Sequence, residues 1–352
     1  MESRNIYKDE LEKLANLMNG VKATPFANCA KIISLTTMNM RYEKVAFNND
    51  LKEHPFELTK VIIQDAGCQF KMLMETSFIE DEDVSMQKYK SNKLEEKHEE
   101  LWQEIWQRHN DKEFQEFVEL KAMRLERNNL VEYVAGHDCV DFGCGNGSFS
   151  FALLDKGARH VTGIDFGGKS IKYAQDMAGK KGLSGRADFK VDNVMSSSLE
   201  SSKYGFAVSN GVFHHLGSVE NMKKAIKEVS RVMKSGGWFW IYVDGKNAIS
   251  MDLWDTTVNI LKNVDVLYIE SILKIMNVQR NKMVHITDGS NATYIHSTLD
   301  EMRSILSDCG FEGFRRLSGY TITDFDSDVV EKVPFGKEKF GTGDLRILCQ
   351  KT

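Results

Sequence analysis

The chain has 352 residues, enough for roughly two domains at about 150 residues each. Its hydrophobic content of 41% excludes wholesale disorder, and 46 Lys+Arg against 51 Asp+Glu argues against a protein that coats nucleic acid or anionic membrane. Six Cys, at 29, 68, 139, 144, 309 and 349, form no CxxC pair, so neither a disulfide framework nor a structural zinc site is expected. No apolar run approaches the ~18 residues of a membrane span, and MESRNIYKDELEK carries no apolar signal core. The expectation is a soluble, cytoplasmic protein with no membrane and no metal.

The pattern changes near residue 135. Before it, Phe56 to Thr76 places Leu58, Val61, Ile62, Ala66, Phe70, Leu73 and Met74 close to a 3.6-residue period, predicting a helix. Lys93 to Leu130 is also helical in character, with Trp102, Trp106 and His109 on one face. Glu80 to Glu100 is dense in charges of both signs and reads as a solvated helix or linker. Residues 21–50 give mixed signals and are left unplaced.

After residue 135, short apolar strands alternate with amphipathic helices. Strands are expected at Asp138 to Phe142, His160 to Asp165, Asp188 to Val191, Phe206 to Ser209 and Trp238 to Val243. Helices are expected from Ser148 to a stop at Gly157, over Ser170 to Lys180, and over Ser218 to Lys234 with Gly236-Gly237 as its stop. Thr298 and Glu301 make a capping box for a further helix closing at Gly310. Two late strands follow, Gly313 to Leu317 and Leu345 to Gln350. This alternation predicts an α/β fold with a doubly wound, mostly parallel sheet.

VDFGCGNGSFS, Val140 to Ser150, holds the strongest chemical signal. Gly143, Gly145 and Gly147 let the chain turn sharply after a strand and admit a ligand close to the backbone at a helix N-terminus. Asp165 closes the next strand, where a carboxylate can accept from both hydroxyls of a ribose. G-x-G-x-G departs from the dinucleotide fingerprint, because Ser148 stands where a third Gly or Ala belongs. Asp141, just ahead of the glycines, suits a ligand with an ammonium group better than a pyrophosphate.

On these residues the chain resembles the class I S-adenosylmethionine-dependent methyltransferases, over about Leu130 to Thr352. VDFGCGNGS looks like their first motif and GIDFGGKSIKYA like the second, with Asp165 as the ribose-binding acid and Phe166 beside it. FKVDNV is similar to the segment whose acid, here Asp192, meets the adenine amino group together with the amide of Asn193. FAVSNGVFHHL resembles the fourth strand and its loop, with Asn210 placed for cofactor or acceptor. VMKSGGWFWIYV matches the following turn with Ser235 in place of the usual Pro. The resemblance implies a seven-stranded sheet and S-adenosyl-L-methionine as cofactor. The methyltransferase domain is expected over 96–352; the helical extension before it, 1–95, shows no family likeness and is expected to be a lid, a dimerisation element or a partner-docking surface.

On the acceptor side, His214 and His215 follow the fourth strand at the edge where open α/β sheets bind ligands. Either they orient or deprotonate an acceptor, or they cap the loop. Tyr242 is carried to the same edge by the fifth strand. An insertion at about 245–298 contains Trp254, Tyr268, Arg280, His285, Tyr294 and His296. It is expected to form a two-helix cap, with Trp254, Arg280 and His285 as candidate acceptor contacts. The leading reading is methyl transfer to O, N or S of a small molecule. The alternatives are a protein or RNA methyltransferase and a non-catalytic cofactor-binding module.

Overall fold

The computed structural model describes residues 2–76, 111–279, 283, 286–287, 294–320 and 326–352. The chain divides into two compact units, one of them a sheet unit and the other helical.

The sheet unit is built from Glu95–Lys246, Thr293–Ser327 and Thr342–Thr352. Its strands are β1 (Asp138–Phe142), β2 (His160–Asp165), β3 (Ala187–Val191), β4 (Tyr204–Asn210), β5 (Met233–Val243), β6 (Phe311–Arg316) and β7 (Leu345–Lys351), in the order β3-β2-β1-β4-β5-β7-β6. β1 to β5 pair in parallel, while β7 runs antiparallel to both β5 and β6. This is the seven-stranded α/β sheet expected.

Alternation along the strands sorts the side chains onto two faces. Cys139, Phe206, Val208 and Trp240 point to one core with Phe114, Phe149 and Phe151, while Val140, Phe142, Ala207, Phe239 and Ile241 point to the other with Met222, Ile226 and Val229. The same parity puts Asp141, Asn210 and Tyr242 on the first face, at the carboxyl edge of adjacent strands. Register confirms their nearness: Asp141 pairs with Val208, and Asn210 with Tyr242.

One expectation fails locally. The helix from Ser218 does not run to Lys234; it ends at Val232, and β5 begins at Met233 and passes through both glycines. Met233 is fully buried beside Tyr204, so pairing with β4 starts before the glycines rather than after them. Gly236, at φ 78°, takes up the turn inside the strand.

The helical unit combines Met1–Leu94, Asn247–Ala292 and Asp328–Gly341. We number its described helices in order with those of the sheet unit. They are α1 (Glu2–Asn19), α2 (Pro25–Ala46), α3 (Pro55–Glu75), α9 (Ile249–Leu261), α10 (Val266–Ile275), α12 (Ser327–Lys332) and α13 (Gly336–Phe340). The sheet unit holds α4 (Asp111–Arg127), α5 (Val131–Val134), α6 (Ser148–Asp155), α7 (Gly168–Lys180), α8 (Val219–Val232) and α11 (Leu299–Asp308).

α2 packs on α3, α9 and α10 and so is buried on most sides, from Ala27 and Ile32 to Met38 and Tyr42. A helix buried on most sides shows little amphipathic contrast, which is why residues 21–50 give no clear pattern. Tyr268 Oη donates to the Pro25 carbonyl at 2.6 Å and Asn39 Nδ2 to Thr257 Oγ1 at 2.9 Å. The insertion therefore packs with the N-terminal helices as one unit. Trp102, Trp106, His109 and the charged stretch Glu80 to Glu100 lie outside the described residues.

Candidate active site

The turn after β1 hangs on β2. The amides of Gly143 and Cys144 both donate to the Ile164 carbonyl, at 2.8 and 3.0 Å. Gly143, Gly145 and Gly147 have φ of 76°, 53° and 81°, a region that L side chains avoid. A Cβ on Gly143 would stand 2.5 Å from both methyls of Val212 in the loop after β4. The turn thus lies against the β4 loop, and only a glycine fits between them.

Two carboxylates border this turn. Asp165 Oδ2 accepts from the Gly145 amide at 2.9 Å and Oδ1 from the Gly167 amide at 2.8 Å. Each oxygen keeps a second lone pair, so the ribose-binding geometry is available. Burial raises the Asp165 pKa while the two amides oppose that shift.

Asp141 is buried and accepts from Ser150 Oγ on α6 at 2.8 Å. Burial pushes its carboxyl up to about 7, the Ser150 hydroxyl opposes this, and the nearby Asp165 charge adds to the rise. A cation beside it would restore the ionised form. Ser150 was not singled out from sequence; its signal is an α6 position facing β1.

Phe166 is exposed beside Asp165. The Asp192 amide donates to the Asp165 carbonyl at 2.9 Å, bringing the ends of β2 and β3 together. The Asp192 carboxylate turns into its own loop, accepting from the Asn193 amide at 2.8 Å and from the Ser198 amide and hydroxyl at 2.9 and 2.7 Å. The Asn193 amide, expected on a ligand ring, is bonded here to Asp192.

Two buried polar atoms next to the turn lack a partner among the described residues: Asn210 Oδ1 and Asn146 Nδ2. One is an acceptor and the other a donor, so a ligand bearing both an ammonium and a carboxylate would satisfy them. The cofactor expected from sequence carries both groups on its methionine portion. These atoms, the glycine cradle and the two carboxylates all fit it.

Beyond Asn210, residues Phe213–His215 form a 3₁₀ turn. His214 is buried, its ring edge-on to His215 at 4.1 Å and to Tyr242 at 6.2 Å. The Asp244 amide donates to His214 Nδ1 at 3.1 Å, and the two Nε2 atoms lie 2.9 Å apart. These bonds assign the proton of neutral His214 to Nε2, which donates to His215. Burial lowers the His214 pKa, opposed by Asp244, so the ring is neutral near pH 7. Tyr294 closes the group, 4.4 Å from His215 and 5.5 Å from His214, ring to ring.

Tyr242 Oη donates to Asp244 Oδ1 at 3.1 Å, and the Arg346 guanidinium covers its ring at 4.4 Å. Arg346 is buried between Asp326 at 3.2 Å and Asp344 at 3.0 Å. Burial raises the Tyr242 pKa well above the usual phenol value, keeping its proton in place. Asp244, Tyr294 and Arg346 come to this cluster from three separate segments and were not named as site residues from sequence.

The structure brings Asp141, the three glycines, Asp165, Asn210, His214, His215 and Tyr242 to one edge of the sheet unit. Trp254 is buried in the helical unit on α9. Arg280 and His285 lie outside the described residues. No described helix is long and apolar enough to cross a membrane.

Residues 140–241 match the family model described as a methyltransferase domain. Among curated proteins, the chain is 26% identical over 155 residues to human EEF1A lysine methyltransferase 2, covering 40% of this chain and 65% of that one. It is 29% identical over 138 residues to the ubiquinone biosynthesis O-methyltransferase of Chromobacterium violaceum, covering 39% and 57%. The chain thus spans less than two thirds of these relatives' length. A solved S-adenosylmethionine-dependent methyltransferase from Methanosarcina mazei aligns over 61% of this chain and 92% of its own, at 25% identity and a TM-score of 0.40.

Proposed function

Because residues 140–241 belong to the S-adenosylmethionine-dependent class I methyltransferases, we propose that this chain moves the methyl group of S-adenosylmethionine to O, N or S of a small-molecule acceptor. When bound, the cofactor supplies an electrophilic methyl on a sulfonium, so the protein's task is alignment and exclusion of water. The glycine turn cradles it, Asp165 accepts from its ribose, and Asp141 with Asn210 receives its ammonium group. Phe166, Asp192 and Asn193 flank its base.

His214 then acts as a positioning residue, held by the Asp244 amide, and His215 orients the acceptor. Tyr242 and Tyr294 supply aromatic walls. The observation that carries the small-molecule reading is this cluster, in which His214 is 3% exposed and ringed by Tyr242, His215 and Tyr294. Such an aromatic group suits a compact acceptor better than an extended polyanion. A reducing compartment such as the cytoplasm suits the six cysteines, all of them free.

A protein substrate is the second reading, favoured by the 26% identity to the lysine methyltransferase. Incubating the purified chain with methyl-labelled S-adenosylmethionine and a fractionated cell extract separates the two. Label in the small-molecule fraction supports the proposal; label confined to protein or RNA replaces it.

A further inference from the structure

Asp244, one residue past the end of β5, holds its carboxylate beside the rings of Tyr242 and His214. Its main chain is fixed on both sides: the amide donates to His214 Nδ1 at 3.1 Å, and the carbonyl accepts from the Ser297 amide at 3.1 Å. Oδ1 accepts from Tyr242 Oη at 3.1 Å. Oδ2 lies 3.8 Å from His214 Nδ1, but that nitrogen already accepts the Asp244 amide and has no proton to give. Among the described residues no lysine or arginine pairs with this carboxylate. The side chain is 19% exposed, so a ligand can reach it.

The cations around Asp244 are engaged elsewhere. Arg346 lies over the Tyr242 ring, but Asp326 holds it at 3.2 Å and Asp344 at 3.0 Å. Lys246 Nζ is 2.6 Å from Glu301, and Arg316 donates to the carbonyls of Thr342 and Asp344. His214, kept neutral by burial, adds no charge. Three carboxylates thus share one guanidinium, and Asp244 is the one left over. The phenol rings of the group, Tyr242 and Tyr294, each within about 6 Å of His214, have faces that attract cations.

We infer that the acceptor is an aliphatic amine, bound by Asp244 as its ammonium, and that its nitrogen is the atom methylated. This rests on the small-molecule reading above and narrows O, N or S to N. A hydroxyl or thiol acceptor would leave the Asp244 charge unanswered, and an acidic acceptor would be repelled by it. The ammonium gives one proton to Oδ2, which passes it to water at the exposed edge. The freed lone pair forms the N–C bond as the S–C bond breaks, its electron pair returning to sulfur. The product leaves as a methylated ammonium, with one proton released per turnover.

The test uses the full chain in two parts. With the chain loaded with S-adenosylhomocysteine, calorimetry compares phenethylamine with 2-phenylethanol, which has the same body and no charge. Phenethylamine should bind at least about tenfold tighter, and Asp244→Asn should erase the difference while leaving S-adenosylhomocysteine affinity unchanged. Asn keeps an oxygen for the Tyr242 hydroxyl, and Asp244→Glu should recover part of the preference. In the second part, the labelled small-molecule product from cell extract is passed over a cation exchanger at pH 7, which should retain it. Equal binding of the two probes by wild type, or an amine preference that survives Asp244→Asn, overturns the role of Asp244. A labelled small molecule that runs through the exchanger overturns the amine and leaves the small-molecule reading standing. Label confined to protein or RNA sinks that reading, and this inference with it.

Discussion

The main-chain amide of Asp244 donates to Nδ1 of His214 at 3.1 Å, and this single bond sets the tautomer of His214. With Nδ1 occupied, the His214 proton sits on Nε2 and is directed at His215, 2.9 Å away. His214 therefore has no lone pair left for abstracting a proton from an acceptor. If His215 touches the acceptor, His215→Asn should lower methyl transfer by about 10²-fold or more. His214→Phe should lower turnover through loss of alignment, with S-adenosylhomocysteine affinity unchanged by calorimetry. Because the buried His214 stays neutral, the wild-type rate should show no inflection that its replacement removes. Wild-type rates in both variants would leave the pair a purely structural cap.

Asp165 accepts two amides and retains two lone pairs for a ligand. Asp165→Ala should weaken S-adenosylmethionine binding at least about tenfold, the equivalent of roughly 1.5–3 kcal/mol for hydrogen bonds to a charged acceptor. Asp165→Asn, which preserves one acceptor oxygen, should lose less. Calorimetry of folded variants decides the matter, and an unchanged Ala variant would remove Asp165 from the site.

Asp141 gives a pH signature. Its folded pKa, raised to about 7 by burial, lies above the ordinary carboxylate value of 3.8. The folded state holds the extra proton between those values, so this group's contribution to stability is lost as pH rises from about 4 through 7. Asp141→Asn should accordingly flatten the fall in stability toward pH 8, read by urea unfolding. If Asp141 pairs with the ligand's ammonium, S-adenosylhomocysteine affinity should fall up to about tenfold per pH unit below 7, with proton release on binding. A pH-independent affinity in wild type would show that the ammonium is held elsewhere.

Gly143 tests the close approach of two loops. In Gly143→Ala the new methyl meets both Val212 methyls at 2.5 Å, in a backbone region that alanine resists. The expected loss is about 1–3 kcal/mol in urea unfolding. Adding Val212→Ala should recover the steric part and leave the backbone part.

The helical unit should not survive loss of its first segment. Leu253, Trp254 and Thr257 on α9, with Ile269 and Leu273 on α10, are buried in a unit whose central helix is α2. A chain starting at residue 111 should expose this apolar surface, bind a hydrophobic dye and aggregate. A monodisperse truncated chain with wild-type dye binding would show that the insertion is stable alone.

The elements around the cofactor region were legible in the sequence because their causes are local. The short apolar runs Asp138 to Phe142 and His160 to Asp165, buried on both faces, glycines at positive φ, and the Thr298–Glu301 capping box each act within a few residues, so composition and spacing report them. What only the tertiary structure decided depends on partners far apart in the chain. The Asp244 amide that sets the His214 tautomer, Arg346 laid over Tyr242, and Tyr294 against His215 carry no spacing rule. The same holds for α2, whose burial on most sides by α3, α9 and α10 blurs the periodicity that would announce a helix. That burial exists only once the chain has folded around the helix, because desolvation depends on neighbours in space rather than neighbours in sequence.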